Sequence, residues 1–467
     1  MKRKLLLKTF LIISFIVLYS GCKNENNSKQ YIYYKDLAKD PDLIHKSVKK
    51  LTDIMVYDIF SPPVASRVYT YPNIAAYETL IHDHPEFESL AGQLNDLDPF
   101  PRPEADLEYC LPLSSIHAFV TVSKNLIFSE EKLVAYYDEI IDNFKYGDIP
   151  EDVFNRSIDF GNQIAQHVMN WAGKDNYKET RGFEKYTVTS EPGTWTPTPP
   201  DYMAAVEPSW NKIRPFAIDS ACQFKPQSSV PFSLEPESPF YKDLMVVYET
   251  TKNLTEEQKE IASFWDCNPF VMHHTGHVMF ATKKISPGGH WMGITSITAK
   301  TANADLMRSM EAYTLVSIAL ADGFISCWDE KFRSKLVRPE TVINTHIDSD
   351  WVPLLQTPPF PEYPSGHSVV SSSAATVLTN IFGDSFHFVD STEVEYGLPV
   401  RSFNSFFEAS QEAAISRLYG GIHYMPAITN GVDQGLKVGQ HIVANVQTRK
   451  SSYTKNNVKD HKELAKN

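Results

Sequence analysis

Three short segments in the last third of the chain carry residue types that can grip an oxyanion. The first, Lys331-Phe-Arg-Ser-Lys-Leu-Val-Arg338-Pro339, sets a lysine and an arginine seven apart. On a helix that spacing is two turns along one face, and Pro339 would end the regular run. The second, Pro364-Ser365-Gly366-His367, precedes the small-residue stretch Ser368 to Ile381. Gly366 lets backbone approach a ligand closely, and the free N–H groups of a helix start point outward. The third is Ser416-Arg417, then five residues, then His423, with Gly420-Gly421 ending a helix between them.

Together these residues form an oxyanion cage. Lys331, Arg338 and Arg417 supply three cations, Ser365 a hydroxyl and Gly366 a backbone N–H, enough to meet the oxygens of a tetrahedral XO₄ group. At an effective dielectric near 20, a cation about 4 Å away contributes on the order of 4 kcal/mol before desolvation. His367 and His423 remain: one can bond to the central atom and the other can move protons. Alone, each segment reads as a solvated helix face, a turn or a core histidine; in this order and spacing they read as one site.

The elements that must position the cage are helical. From about Tyr31 to Gly173 apolar residues recur near the helical period, as in Asn155 to Trp171, and read as core. Thr255-Glu256-Glu257-Gln258 and Ser405-Phe406-Phe407-Glu408 fit capping boxes, and Ala299 to Trp328 reads as one long helix. Alternating strand patterns are scarce, so the fold class is all-α. Between Pro192 and Pro239 stand ten prolines. Proline cannot continue helix or sheet ladders, so this is a long irregular connection, either an active-site wall or a covering strap.

The chain has 467 residues, 42% apolar and 22% charged, with a formal charge of −13. That is ordinary globular composition with no basic block, which argues against nucleic acid as a partner. Met1-Lys2-Arg3-Lys4, the apolar run Leu5 to Tyr19 and Ser20-Gly21-Cys22 read as a lipoprotein signal peptide over 1–22. Its removal takes four positive charges and leaves the mature chain more acidic. The expected product is exported and anchored in the membrane through lipidated Cys22, on the periplasmic or outer-membrane face. Of the remaining cysteines, Cys110, Cys222, Cys267 and Cys327, none stands in a metal-binding spacing, so no zinc site is expected and their pairing is open. The organisation reads as a tether over 23–45, an N-terminal helical region over 46–190, the Pro-rich belt over 191–240, a C-terminal helical core over 241–447 and a polar tail over 448–467.

At the cage residues the sequence resembles the superfamily uniting type 2 phosphatidic acid phosphatases with vanadium-dependent haloperoxidases, whose pattern is K-x6-RP, PSGH and SR-x5-H-x3-D. Every position matches but the last, where Ala427 replaces the aspartate that orients the histidine. The resemblance reaches more loosely through Pro192 to Pro200, Phe264-Trp265-Asp266 and Pro287-Gly-Gly-His-Trp291, covers roughly 190–447, and is to secreted bacterial haloperoxidases rather than membrane phosphatases. It implies helical bundles of the haloperoxidase type and vanadate as cofactor. His423 would be the vanadium ligand, and Lys331, Arg338, Ser365, Gly366 and Arg417 would hold the oxygens. It makes His367 the acid–base, lets Trp328 close the pocket and pairs Asp266 with Arg417. Hydrogen peroxide, a halide ion and a small organic acceptor are the implied partners. Bromoperoxidases of the family typically carry histidine where Phe360 stands, which points this chain to iodide. The alternatives are an acid phosphatase with His423 as nucleophile and an oxyanion-binding lipoprotein without catalysis, for which neither histidine is needed.

Overall fold

The computed structural model describes residues 31–450, except Gly276 and the side chains of residues 274, 275, 278 and 280. The signal peptide, Cys22 and most of the polar tail therefore lie outside the described residues. The N-terminal helices are α1 (Asp42–Tyr57), α2 (Pro62–Leu80), α3 (Leu111–Lys124), α4 (Glu130–Tyr146) and α5 (Glu151–Ala172). After the belt come α6 (Pro239–Lys252), α7 (Glu256–Phe264), α8 (Pro287–Thr301), α9 (Leu306–Ser334), α10 (Pro339–His346), α11 (Gly366–Phe382), α12 (Phe406–Tyr419) and α13 (Met425–Asn445). Two small antiparallel hairpins join them: β1 (Val271–Thr275) with β2 (Val278–Thr282), and β3 (Phe388–Asp390) with β4 (Arg401–Phe403). The expected tether ends early, since a one-turn helix already forms at Tyr34–Leu37 and α1 starts at Asp42.

The centre of the molecule is α9, which packs on α2 from the N-terminal half and on α11 from the C-terminal half. It is long and apolar enough to cross a bilayer, but that stretch is wholly buried inside the protein, so it is a core helix. Apolar residues of both halves join one core around it. The long helix read from Ala299 is in fact two. Asn303 takes a left-handed conformation, and Asp305 caps α9 by accepting from the Arg308 amide. Thr255 and Gln258 form the expected capping box on α7. At α12 only half of the second box forms, because Glu408 reaches the amide of Asn404 rather than that of Ser405.

Close approach of α13 to α11 sets the geometry of the cage. Gly431, Gly435 and Gly439 recur every fourth residue of α13 and face α11; a Cβ on Gly435 would lie 2.1 Å from the Val369 carbonyl oxygen. A side chain there would push the helices apart and carry His423 away from Ser365. The Ser365 amide also donates to the Ala427 carbonyl at 3.0 Å. The alanine that breaks the sequence pattern thus helps hold the second motif against the third.

The Pro-rich belt forms no helix beyond a single 3-10 turn, Trp210–Lys212. It is fixed by donation into neighbours: Trp195 N to the Lys335 carbonyl, Val206 N to the Pro359 carbonyl, and Phe216, Ala217 and Ile218 N to the buried carboxylate of Asp322 on α9. Met203 and Val206 reach the cavity above the cage, so this stretch is an active-site wall as well as a strap.

Candidate active site: a cationic cage beneath an apolar cavity

Lys331 and Arg338 do not share a helix face. The helix ends at Ser334, Lys335 turns left-handed, and Arg338 becomes the N-cap of α10. The reversal aims both side chains at the loop 360–364 instead of stacking them in one row. Lys331 Nζ donates to the carbonyls of Pro361 and Glu362 at 3.0 Å and to that of Pro364. Burial draws its ammonium down to about 7, yet three donated bonds need the three N–H of the charged form. An anion beside it would hold that charge.

Arg338 Nε donates to the Phe360 carbonyl at 2.9 Å, and Nη1 to the Ile422 carbonyl at 2.8 Å and towards His423 Nε2 at 3.2 Å. Nη2 is buried with no partner. Burial lowers this guanidinium to about 10, with Glu362 partly offsetting it. Arg417, near the end of α12, donates to the Ser416 hydroxyl and the Trp265 carbonyl and is lowered by burial, with Asp266 acting the other way. The expected pairing of Asp266 with Arg417 gives way to another: Asp266 pairs with Lys284 at 3.2 Å, because the turn after α7 points its carboxylate toward that lysine.

Ser365 is the N-cap of α11; its Oγ accepts from the Ser368 amide at 3.3 Å and lies 2.9 Å from the Ser368 hydroxyl. Gly366 opens the helix, and a Cβ there would come 3.6 Å from the ring of Trp328. His367 Nε2 is buried without a partner. Burial first, then Arg417 and His290, hold His367 well below the usual imidazole range, so it is neutral.

His423 Nδ1 lies 2.9 Å from Glu362 Oε1, which also accepts from the Tyr424 amide. Burial and the three cations hold this imidazole far below its ordinary range. With its proton on Nδ1 facing the carboxylate, the Nε2 lone pair turns to the cage. Glu362 thus supplies the acceptor that Ala427 lacks. Sequence reasoning missed it because it comes from the loop before the second motif, not from the turn after His423; a carboxylate two residues before Pro364 was its only signal.

Over the cage lies a cavity of about 420 Å³. Gly366, His367, Arg417 and His423 reach it from below, and Phe270, Phe324, Trp328 and Phe360 line it. Phe360 packs against Trp328 with ring centroids 4.9 Å apart, and the Arg338 guanidinium carbon and Lys331 Nζ each sit 5.1 Å from its ring centre. Trp328 is held in turn by donating to the Val206 carbonyl of the belt at 3.2 Å.

An oxyanion fits this donor set. Three buried cations gather here; the nearest carboxylate, Glu362, is engaged by His423, and Glu340 and Asp266 offset Arg338 and Arg417 only in part. Arg338 Nη2 and His367 Nε2 stay unanswered inside the protein, where an unmet polar group is costly. A tetrahedral oxyanion would answer both, and the His423 lone pair supplies a nitrogen ligand for its centre.

Residues 311–451 match the family described as the VCPO second helical-bundle domain. No curated protein matches the chain. Among solved structures, a bacterial vanadium-dependent iodoperoxidase is similar at 49% identity and a TM-score of 0.84, over 88% of this chain and 98% of that one. The apo form of a bacterial vanadium-dependent chloroperoxidase shares the fold at 16% identity and a TM-score of 0.63, over 83% of this chain and 94% of that one. The cage, its histidines and the iodoperoxidase likeness across nearly the whole of that relative place the chain in one family: it belongs to the vanadium-dependent haloperoxidases.

Proposed function

We propose that this haloperoxidase is exported, anchored by a lipid on Cys22, and oxidises iodide in preference to bromide or chloride. The enzyme takes hydrogen peroxide and a halide ion and uses vanadate as cofactor. The carrying observation is His423, fixed between Glu362 and Arg338 at the edge of a cage of three buried cations. When bound, vanadate supplies the electrophilic centre at which peroxide becomes reactive toward halide.

The chain's own residues do the rest. Glu362 keeps the proton of His423 on Nδ1 and so leaves on Nε2 a lone pair, which Arg338 Nη1 faces at 3.2 Å, as the ligand position. Arg338, Arg417 and Lys331 would hold oxygens by charge, and Ser365 and the Gly366 amide by hydrogen bonds. Neutral His367 can take a proton at Nε2 from incoming peroxide and return it. The aromatic cavity keeps bulk water off the site and offers polarisable surface to a large, weakly hydrated halide. Phe360 adds no hydrogen bond there, which supports the iodide reading together with the iodoperoxidase relative.

The direct test adds orthovanadate to the purified apoprotein and follows peroxide-dependent oxidation of iodide, bromide and chloride. Strong iodide, weak or absent bromide and no chloride oxidation is the expected result. Chlorination of monochlorodimedone at a rate comparable to iodide turnover would overturn the selectivity. Lipid anchoring is tested by palmitate labelling of the full chain in cells, which Cys22→Ser should abolish. One observation also suits a phosphatase: Glu362 orients His423 as a nucleophile would require. Hydrolysis of p-nitrophenyl phosphate, blocked by vanadate, would support that second reading.

A further inference from the structure

Behind the cage, three residues distant in sequence converge in a fully enclosed space. Cys267 follows α7, His290 sits in the first turn of α8, and Glu393 follows β3. Cys267 Sγ lies 3.3 Å from His290 Nδ1, and Glu393 Oε1 lies 3.3 Å from the same nitrogen. One ligand atom from each falls within 4.8 Å of the others. His290 and Glu393 have no exposed surface and Cys267 almost none. Neither carboxylate oxygen of Glu393 accepts a hydrogen bond, and the buried acid is answered in charge by the His290 ring beside Oε1.

The other ring nitrogen is already committed. His290 Nε2 lies 2.8 Å from Asp390 Oδ2, and Asp390 Oδ1 accepts from the Thr392 amide and hydroxyl. Burial opposes charge on this ring, but Asp390 and Cys267 prevail and raise it well above the ordinary imidazole range; a metal that displaces the Nδ1 proton would meet a lone pair aimed between the thiol and Glu393. A carboxylate behind a histidine, fixing its tautomer, is the usual support of a metal-binding imidazole. Trp265 stacks on the His290 ring at 4.5 Å and fixes its plane.

We propose that Cys267, His290 and Glu393 bind a divalent cation of borderline softness, zinc first among them, as a second metal site distinct from the vanadate cage. Sulfur, nitrogen and oxygen together suit zinc. A tetrahedral centre with bonds of about 2.0–2.3 Å separates its ligand atoms by roughly 3.3–3.7 Å, close to the two separations of 3.3 Å here. Binding displaces the thiol proton and any proton on Nδ1 into solvent and leaves thiolate, neutral imidazole and carboxylate on the metal. The spacing hid the site: its ligands form none of the short cysteine–histidine patterns by which zinc is read from sequence. Its reach into function is short, because Trp265 stacks on His290 while its carbonyl takes the Arg417 guanidinium. A metal here would stiffen one wall of the cage.

Elemental analysis of the full chain, expressed with zinc and dialysed without chelator, should find about one zinc per chain, counted separately from vanadium. Cys267→Ser and Glu393→Gln should each lose it, and Asp390→Asn should weaken retention about 10–100-fold. Cys222→Ala, changing an exposed cysteine far from the group, should keep it. Should a ligand variant fail to fold, the wild-type chain loaded with cobalt(II) still decides: a thiolate-to-cobalt charge-transfer band supports the site. No retained zinc together with no such band overturns the proposal, as does zinc that survives both Cys267→Ser and Glu393→Gln.

Discussion

Arg67 among the N-terminal helices and Arg338 at the cage are both buried, and their surroundings answer them in opposite ways. Arg67 Nε donates to Asp175 at 2.6 Å, the Tyr71 hydroxyl donates to the same carboxylate oxygen at 2.8 Å, and the Tyr177 ring lies 4.4 Å from the guanidinium carbon. Burial opposes its charge, but Tyr71 and Asp175 prevail and raise it above its ordinary value. Arg338 meets carbonyls and an imidazole, keeps one nitrogen unanswered and is lowered to about 10. A buried cation satisfied within the fold is part of the scaffold; one left short is held ready for a ligand. Lys331, whose N–H groups meet only carbonyls, and Arg417 are likewise lowered by burial.

The widest separation between the two regions should appear in turnover. His367→Ala removes the neutral base from the cage without exposing a paired charge, so iodide oxidation should fall about 10²–10⁴-fold. Its thermal unfolding should stay close to that of the parent. Unchanged halide oxidation between pH 5 and 8 would take His367 out of the reaction.

The converse experiment is Arg67→Met. It strands Asp175 with only the Tyr71 hydroxyl and nearby amides, and breaking a buried pair from one side costs about 3–5 kcal/mol. Denaturant unfolding should register that loss, while iodide turnover per folded molecule stays unchanged. In the vanadate-free protein Arg338→Met should cost far less, because it removes a charge that burial disfavours and that Glu362, already engaged by His423, offsets only in part. Equal destabilisation by the two substitutions would erase the distinction between scaffold and cage.

Ligand linkage gives the next effect. At a vanadate concentration 100 times its dissociation constant the folded state should gain about 2.7 kcal/mol. The gain should shrink strongly in Arg338→Met and persist in a variant such as Tyr71→Phe, whose altered group belongs to the N-terminal network. Thermal melts with and without orthovanadate would measure it. A full gain in Arg338→Met would mean that the arginine does not hold the anion.

What could be read from sequence follows the same division. The cage residues sit in three compact motifs, and the helical periods around them are strong because each helix buries one face. Two kinds of feature were hidden. One is local geometry that spacing misreports: Lys331 and Arg338 look like one helix face until Lys335 turns left-handed, and Asn303 divides a helix that reads as continuous. The other is contact between segments far apart in the chain, where tertiary packing alone decides the partner. Asp266 reaches Lys284, and Cys267 meets Glu393 across three elements. The belt showed its prolines but not the hydrogen bonds to Asp322 and Pro359 that hold it down.

Glu362 is the most useful of these hidden contacts, and the smallest predicted effect belongs to it. It lies inside the cage region yet behaves like the scaffold acid Asp175, since His423 and the Tyr424 amide occupy its Oε1. Its task is orientation: a carboxylate there only accepts, so His423 must present N–H at Nδ1 and a lone pair at Nε2. Glu362→Gln keeps the shape but offers an amide that can accept or donate, and donation would move the histidine proton to Nε2 and block the ligand nitrogen. Vanadium affinity should therefore fall about 10–100-fold, read by elemental analysis after dialysis at graded vanadate. At saturating vanadate most of the iodide turnover should return, because the cations and His367 are untouched. Glu362→Asp, with a shorter reach, should recover little of the affinity unless the loop 360–364 shifts toward His423. If Glu362→Gln binds vanadium as tightly as the parent, the carboxylate belongs to the scaffold, and the boundary between the two regions runs between Glu362 and His423.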